Sequence, residues 1–181
     1  MTEADLIRLL SERFHGNFAD ETARRVRDAG AVDLLYEVAT APHPELPGPV
    51  RQKVLFRGAY VLERIYFDAP EAFMPRAESF CRVDFAAHRV EPIIREVCKP
   101  AQNDQQFCFH ILNEGRDILW WSERTGYGHY YLYDGNGRLQ GAVTSGAYVA
   151  GKIERIDTLA RTIVYEGYGR EPGVNPHYRF Y

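Results

Sequence analysis

Apolar positions along the first hundred residues recur at three- and four-residue intervals, the spacing of helix faces. In MTEADLIRLLSERF, Leu6, Ile7, Leu9 and Leu10 form such a face, and Thr2 stands ahead of Glu3 and Asp5 as a capping residue. Asn17 and Gly30 bracket a second helix running through Ala29. AVDLLYEVAT, with Val32, Leu35, Tyr36 and Ala39 on one side, predicts a third, which the prolines and glycine of APHPELPGP end. Pro49 then opens VRQKVLFRGAYVLERIYFDA, whose wide stripe of Val50, Val54, Leu55, Gly58, Tyr60, Val61, Leu62 and Ile65 predicts a central helix. EAFMPRAESFC and AAHRVEPIIREVCK predict two more, interrupted by Pro75 and Pro92.

After Pro100 the period changes. DILWWSER and GHYYLYD are rich in β-formers, and Gly135-Asn136-Gly137 after Asp134 reads as a tight hairpin turn. RLQGAVT, AYVAGKIERID and RTIVYEGYG continue the series at the spacing of a meander. QQFCFHILNEG fits either a last helix or a first strand, and the alternation of Phe107, Phe109 and Ile111 favours the strand. The expected fold is α+β: a helical bundle over residues 1–100, then an antiparallel β-meander of about five strands over 101–181. The two form either separate domains or one integrated domain.

VRQKVLFRGAYVLERI followed by DAPEAFMP resembles a HEAT-type helical repeat, through Val50, Arg51, Ala59 and Leu62 and the punctuation Ala69-Pro70-Glu71-Ala72-Phe73. The resemblance covers residues 18–98 and at most two repeats, fewer than the three or so that a free solenoid needs. It implies a protein-binding scaffold and no chemistry. In the β region, YDGNGRLQG is similar to the turn of YD-type and MORN-like β repeats.

Charge and composition narrow the function classes. The net charge of −3 is small and the signs are mixed, so nucleic acid is not an expected partner. No apolar run approaches the roughly 18 residues of a membrane helix. The N-terminus lacks the basic and apolar regions of a signal peptide, and three widely spaced cysteines make a poor disulfide framework. The expected location is cytoplasmic.

The candidate chemistry is thin. Cys98, Cys108 and His110 lack paired metal-ligand spacing, so no metal and no cofactor is expected. His129 lies among tyrosines with Glu123 and Asp134 nearby in sequence, a setting for acid–base work or for a structural histidine. No catalytic residue is assigned. The binding candidates are aromatic: Trp120, Trp121, Tyr127, His129, Tyr131 and Tyr133 in the β region, with Tyr178 and Phe180 in the tail. Alternation puts aromatics on both faces of the sheet, so one face is core and the other is either core or a platform. The expected function is a non-enzymatic interaction module for a protein or peptide, or for a second copy of itself. The alternative is a small-molecule-binding protein or hydrolase-like enzyme with a pocket between helices and sheet, lined by His129, Tyr131, Tyr133 and Glu123.

Overall fold

A computed structural model describes residues 1–14, 18–28, 33–42, 49–67, 77–97, 103 and 106–181. The chain divides into two compact units, Met1–Ala101 and Gln102–Tyr181.

The first unit opens with two helices, α1 (Glu3–Phe14) and α2 (Asp20–Asp28). Thr2 caps α1 reciprocally: its hydroxyl accepts the Asp5 N–H at 3.2 Å, and Asp5 accepts the Thr2 N–H at 3.0 Å. Five strands follow, β1 (Asp33–Pro42), β2 (Pro49–Arg57), β3 (Tyr60–Phe67), β4 (Ala77–Asp84) and β5 (Arg89–Val97), in an antiparallel sheet of sequential order. Leu6, Leu10 and Phe14 of α1, with Ala23 and Val26 of α2, bury themselves against Val54, Phe56, Val61, Cys81 and Val83 of the sheet.

This corrects the expected helical bundle and the HEAT-like reading. DLLYEVAT, VRQKVLFR, YVLERI and RVEPIIREV form strands, and the described residues hold two α-helices, both before β1. The physical reason lies in VRQKVLFRGAYVLERI itself. Gly58, at φ +59, makes the β2–β3 turn in the middle of the expected central helix. On either side, β-branched and aromatic residues recur, and Phe56 pairs directly with Val61. Pro92 would break a helix, but it sits on the outer strand β5 beside a register shift, where a missing N–H costs little. Asn17, Gly30, Pro70 and Pro75 lie outside the described residues.

The second unit is all β. Strands β6 (Phe109–Leu112), β7 (Asp117–Ser122), β8 (His129–Asp134) and β9 (Leu139–Ala142) make a four-stranded antiparallel meander. Strands β10 (Val149–Asp157), β11 (Thr162–Tyr168) and β12 (Arg179–Phe180) make a second sheet. Two sheets thus replace the single five-stranded one that was expected. The β8–β9 turn is built by Asp134, whose Oδ1 accepts the N–H of Asn136 and of Arg138, each at 2.9 Å, while Gly137 takes φ +82. The tail returns through β12, and Arg179 pairs with the buried Glu166 of β11 at 2.9 Å. Among the described residues no helix is long and apolar enough to cross a membrane.

Candidate functional site

The aromatic centre of the second unit is set by register. Phe109, Trp120 and Tyr131 lie side by side on β6, β7 and β8, and Ile118 faces Tyr133 across the same surface. Trp121 and Tyr130 pair on the opposite surface, as do Leu119 and Leu132. Both surfaces are closed. Trp120 and Trp121 have no exposed area, Tyr130 has none, and Tyr131 and Tyr133 keep 6% and 7%.

On the first surface the Phe107 ring meets Trp120 edge-on at 4.9 Å. The Arg124 guanidinium lies 4.3 Å over the Tyr131 ring and 5.7 Å from that of Tyr133. Arg124 is itself held by Ser122, whose hydroxyl accepts its Nε–H at 2.9 Å. On the second surface the Trp121 indole N–H donates to the Ala150 carbonyl at 2.7 Å, and the Tyr130 hydroxyl donates to the Gly151 carbonyl at 2.7 Å. Both acceptors belong to β10, so this surface is where the second sheet docks. Burial pushes the Tyr130 phenol far above its ordinary range, so it stays a neutral donor. The Cys108 thiol lies 3.1 Å from the same hydroxyl.

His129 is 2% exposed. Its Nε2 lies 2.9 Å from the Gly146 carbonyl, which can only accept, so Nε2 carries the proton. Nδ1 then accepts from the Thr144 hydroxyl at 3.1 Å, and the same hydroxyl accepts the Tyr130 N–H at 2.9 Å. Tyr148 covers the ring edge-on at 5.1 Å. Every polar atom of this cluster is used internally, which leaves the imidazole no free nitrogen for proton transfer. Thr144→Val keeps the shape but removes both bonds of the hydroxyl. It should cost about 2–3 kcal/mol in chemical denaturation, with His129 Nδ1 and the Tyr130 N–H left unpaired.

The eight aromatic candidates therefore separate. Trp120, Tyr131 and Tyr133 share one buried surface; Trp121 lies on the other; His129 joins the Thr144 network. Tyr127 stands 43% exposed on the β7–β8 loop, and Tyr178 is 61% exposed beside β12, with Phe180 half-buried in that strand. Glu123, the carboxylate expected beside His129, accepts the Asn103 N–H at 2.7 Å instead and anchors the loop. Thr144 and Arg124 escaped the sequence reading. Arg124 could have been suspected from its place in a short loop after aromatic strands, whereas Thr144 carries no local signal. Of the Cys98–Cys108–His110 set, Cys98 lies outside the described residues, and no group able to hold a metal ion occurs among them.

Residues 64–180 match the sequence model of the family described as the dipeptidyl peptidase IV (DPP IV) N-terminal region. Among solved structures, the chain is similar to the crystal structure of Porphyromonas gingivalis dipeptidyl peptidase 4. The identity is 14% and the TM-score 0.46, over 77% of this chain and 26% of that one. The chain thus spans about a quarter of that protein's length. No curated protein matches. The match runs from within β3 through β12, and it replaces the HEAT-type resemblance that the helical spacing had suggested. With well over half of its length matched, the chain belongs to the dipeptidyl peptidase IV N-terminal region family.

Proposed function

We propose that the chain is a non-enzymatic recognition module that binds a protein or peptide, built from β-propeller-type blades. Four-stranded antiparallel meanders such as β6–β9 are the repeating unit of propellers. Membership in the N-terminal region family of a dipeptidyl peptidase supports a peptide as the thing recognised. The observation that carries the reading is the division of the aromatics. Those in β7 and β8 are consumed by the core, and Tyr127 is left exposed on a loop held at both ends. Glu123 ties one end through Asn103, and the buried Gly128 closes the other by accepting the Ala150 N–H at 2.8 Å. A rigid exposed tyrosine is a low-entropy anchor for a partner. A cytoplasmic location belongs to the same reading, and the free thiols of Cys81 and Cys108 suit a reducing compartment.

An array of short peptides probed with the full chain tests this. Wild type should retain a defined subset, and Tyr127→Ala should lose it by about tenfold or more while its circular dichroism is unchanged. Equal retention by wild type and Tyr127→Ala would remove Tyr127 from the surface. Retention of no peptide would remove the reading itself.

A further inference from the structure

The second unit holds a cavity of about 210 Å³ that the aromatic centre does not use. It lies between the docked sheets at their turn end, beside the β6–β7 and β10–β11 turns. Its apolar lining comes from two facing pairs, Leu119 with Leu132 on β7 and β8, and Ile156 with Ile163 on β10 and β11. Its charged lining is Asp117, Asp157 and Arg161, with Thr158 and Thr162 beside them.

The charges are not paired with one another. Asp117 uses one oxygen to accept from the Asn113 amide, and Asp157 uses one to accept the Ala160 N–H at 2.8 Å. Each leaves a second carboxylate oxygen outside these bonds. Arg161 makes no hydrogen bond or ion pair among the described residues. It also holds φ +55, a left-handed conformation that glycine would adopt without strain. Asn113, also in the lining, holds φ +50. Both residues sit in hairpin turns, β6–β7 and β10–β11, where a positive φ is ordinary geometry, so the two turns present their side chains to this cavity.

We infer that this cavity binds a free α-amino acid with an aliphatic side chain. The ammonium group meets Asp117 and Asp157, the carboxylate meets Arg161, and the side chain lies between the Leu119–Leu132 and Ile156–Ile163 pairs. A simple carboxylate would face two aspartates, and a simple amine would leave the guanidinium unmatched. The volume sets the size. Pockets for drug-sized ligands run from about 300 to 1,000 Å³, so this one suits a single residue and not a longer peptide. The site is separate from the Tyr127 loop, and its failure would leave the peptide reading intact.

Isothermal titration of the full chain with L-leucine tests the assignment, with isocaproate and isoamylamine as analogues lacking the amine and the carboxylate. Leucine should bind, and each analogue should bind at least about tenfold more weakly, the usual effect of losing a charge-assisted contact. Arg161→Gly suits the backbone at that position, so the variant should fold as well as wild type and bind leucine at least about tenfold more weakly. Asp157→Asn keeps an oxygen for the Ala160 N–H, removes the charge and should weaken binding similarly. No leucine binding at millimolar concentration, an analogue binding as tightly as leucine, or Arg161→Gly and Asp157→Asn both binding as wild type would overturn the assignment.

Discussion

Replacing Glu63 by Gln should stabilise the protein at pH 8 by about 3 kcal/mol and leave it nearly unchanged at pH 4.5. Glu63 sits on β3, 1% exposed, with neither carboxylate oxygen hydrogen-bonded. Burial raises its carboxyl to about 7 from an ordinary 4.5, and Arg13 offsets only part of that. A folded-state value above the unfolded one means that folding holds the proton more tightly. The stabilisation from holding it is complete below about pH 4.5. It is lost progressively as pH rises through about 7, because the unfolded chain ionises first. Glutamine has no proton to lose, so the difference between variant and wild type should open over that window. Urea unfolding of both proteins at several pH values checks it. A difference that stays constant with pH would show that Glu63 is ionised or solvated in the folded chain. Gln52, a diagonal neighbour on β2, is buried and also without a partner, and no hydrogen bond joins its amide to the Glu63 carboxyl.

Gly128→Ala should cost about 3–5 kcal/mol. A Cβ at Gly128 would overlap the Trp121 indole, lying 2.5 Å from Cε2 and 2.9 Å from Cη2. The ring has nowhere to retreat, because its N–H is bound to the Ala150 carbonyl and Ala150 in turn donates to the Gly128 carbonyl. Accommodation therefore sacrifices both packing and a buried hydrogen bond. Gly126, two residues earlier, is the contrast. It has open space around its Cβ position and φ +91, so Gly126→Ala should cost only about 1 kcal/mol of backbone strain. Denaturant unfolding should separate the two variants clearly. Equal costs would mean that Trp121 does not pack on Gly128.

These two sites also show what the sequence can and cannot reveal. The strands DILWWSER and GHYYLYD were legible, because alternation and β-formers agree there and Asp134–Gly137 supplies an unambiguous turn. Helix α1 was legible too, from Leu6 and Leu10 one turn apart behind a Thr2 cap. The misreading of β2 and β3 has a physical cause. Val61, Leu62, Ile65 and Tyr66 are buried on both faces of the sheet, so apolar residues occur at helical as well as alternating spacings. Gly58, between runs of β-branched and aromatic residues, was the available signal against a helix. The site was less legible. Alternation showed that aromatics occupy both surfaces of β7 and β8, but the groups that close the second surface, Ala150 and Gly151, lie twenty or more residues away. Nothing local to Tyr130 or Trp121 announces them.

With the aromatics of β7 and β8 in the core, the proposed recognition falls to the exposed Tyr127 loop. The chain's two tryptophans are Trp120 and Trp121, which makes their fluorescence a direct report on that core. Acrylamide quenching of the native chain should be weak, with blue-shifted emission, and should become strong only on unfolding in guanidinium. Strong quenching of the native protein would place those indoles in solvent, return β7 and β8 to the role of an open platform, and contradict the account.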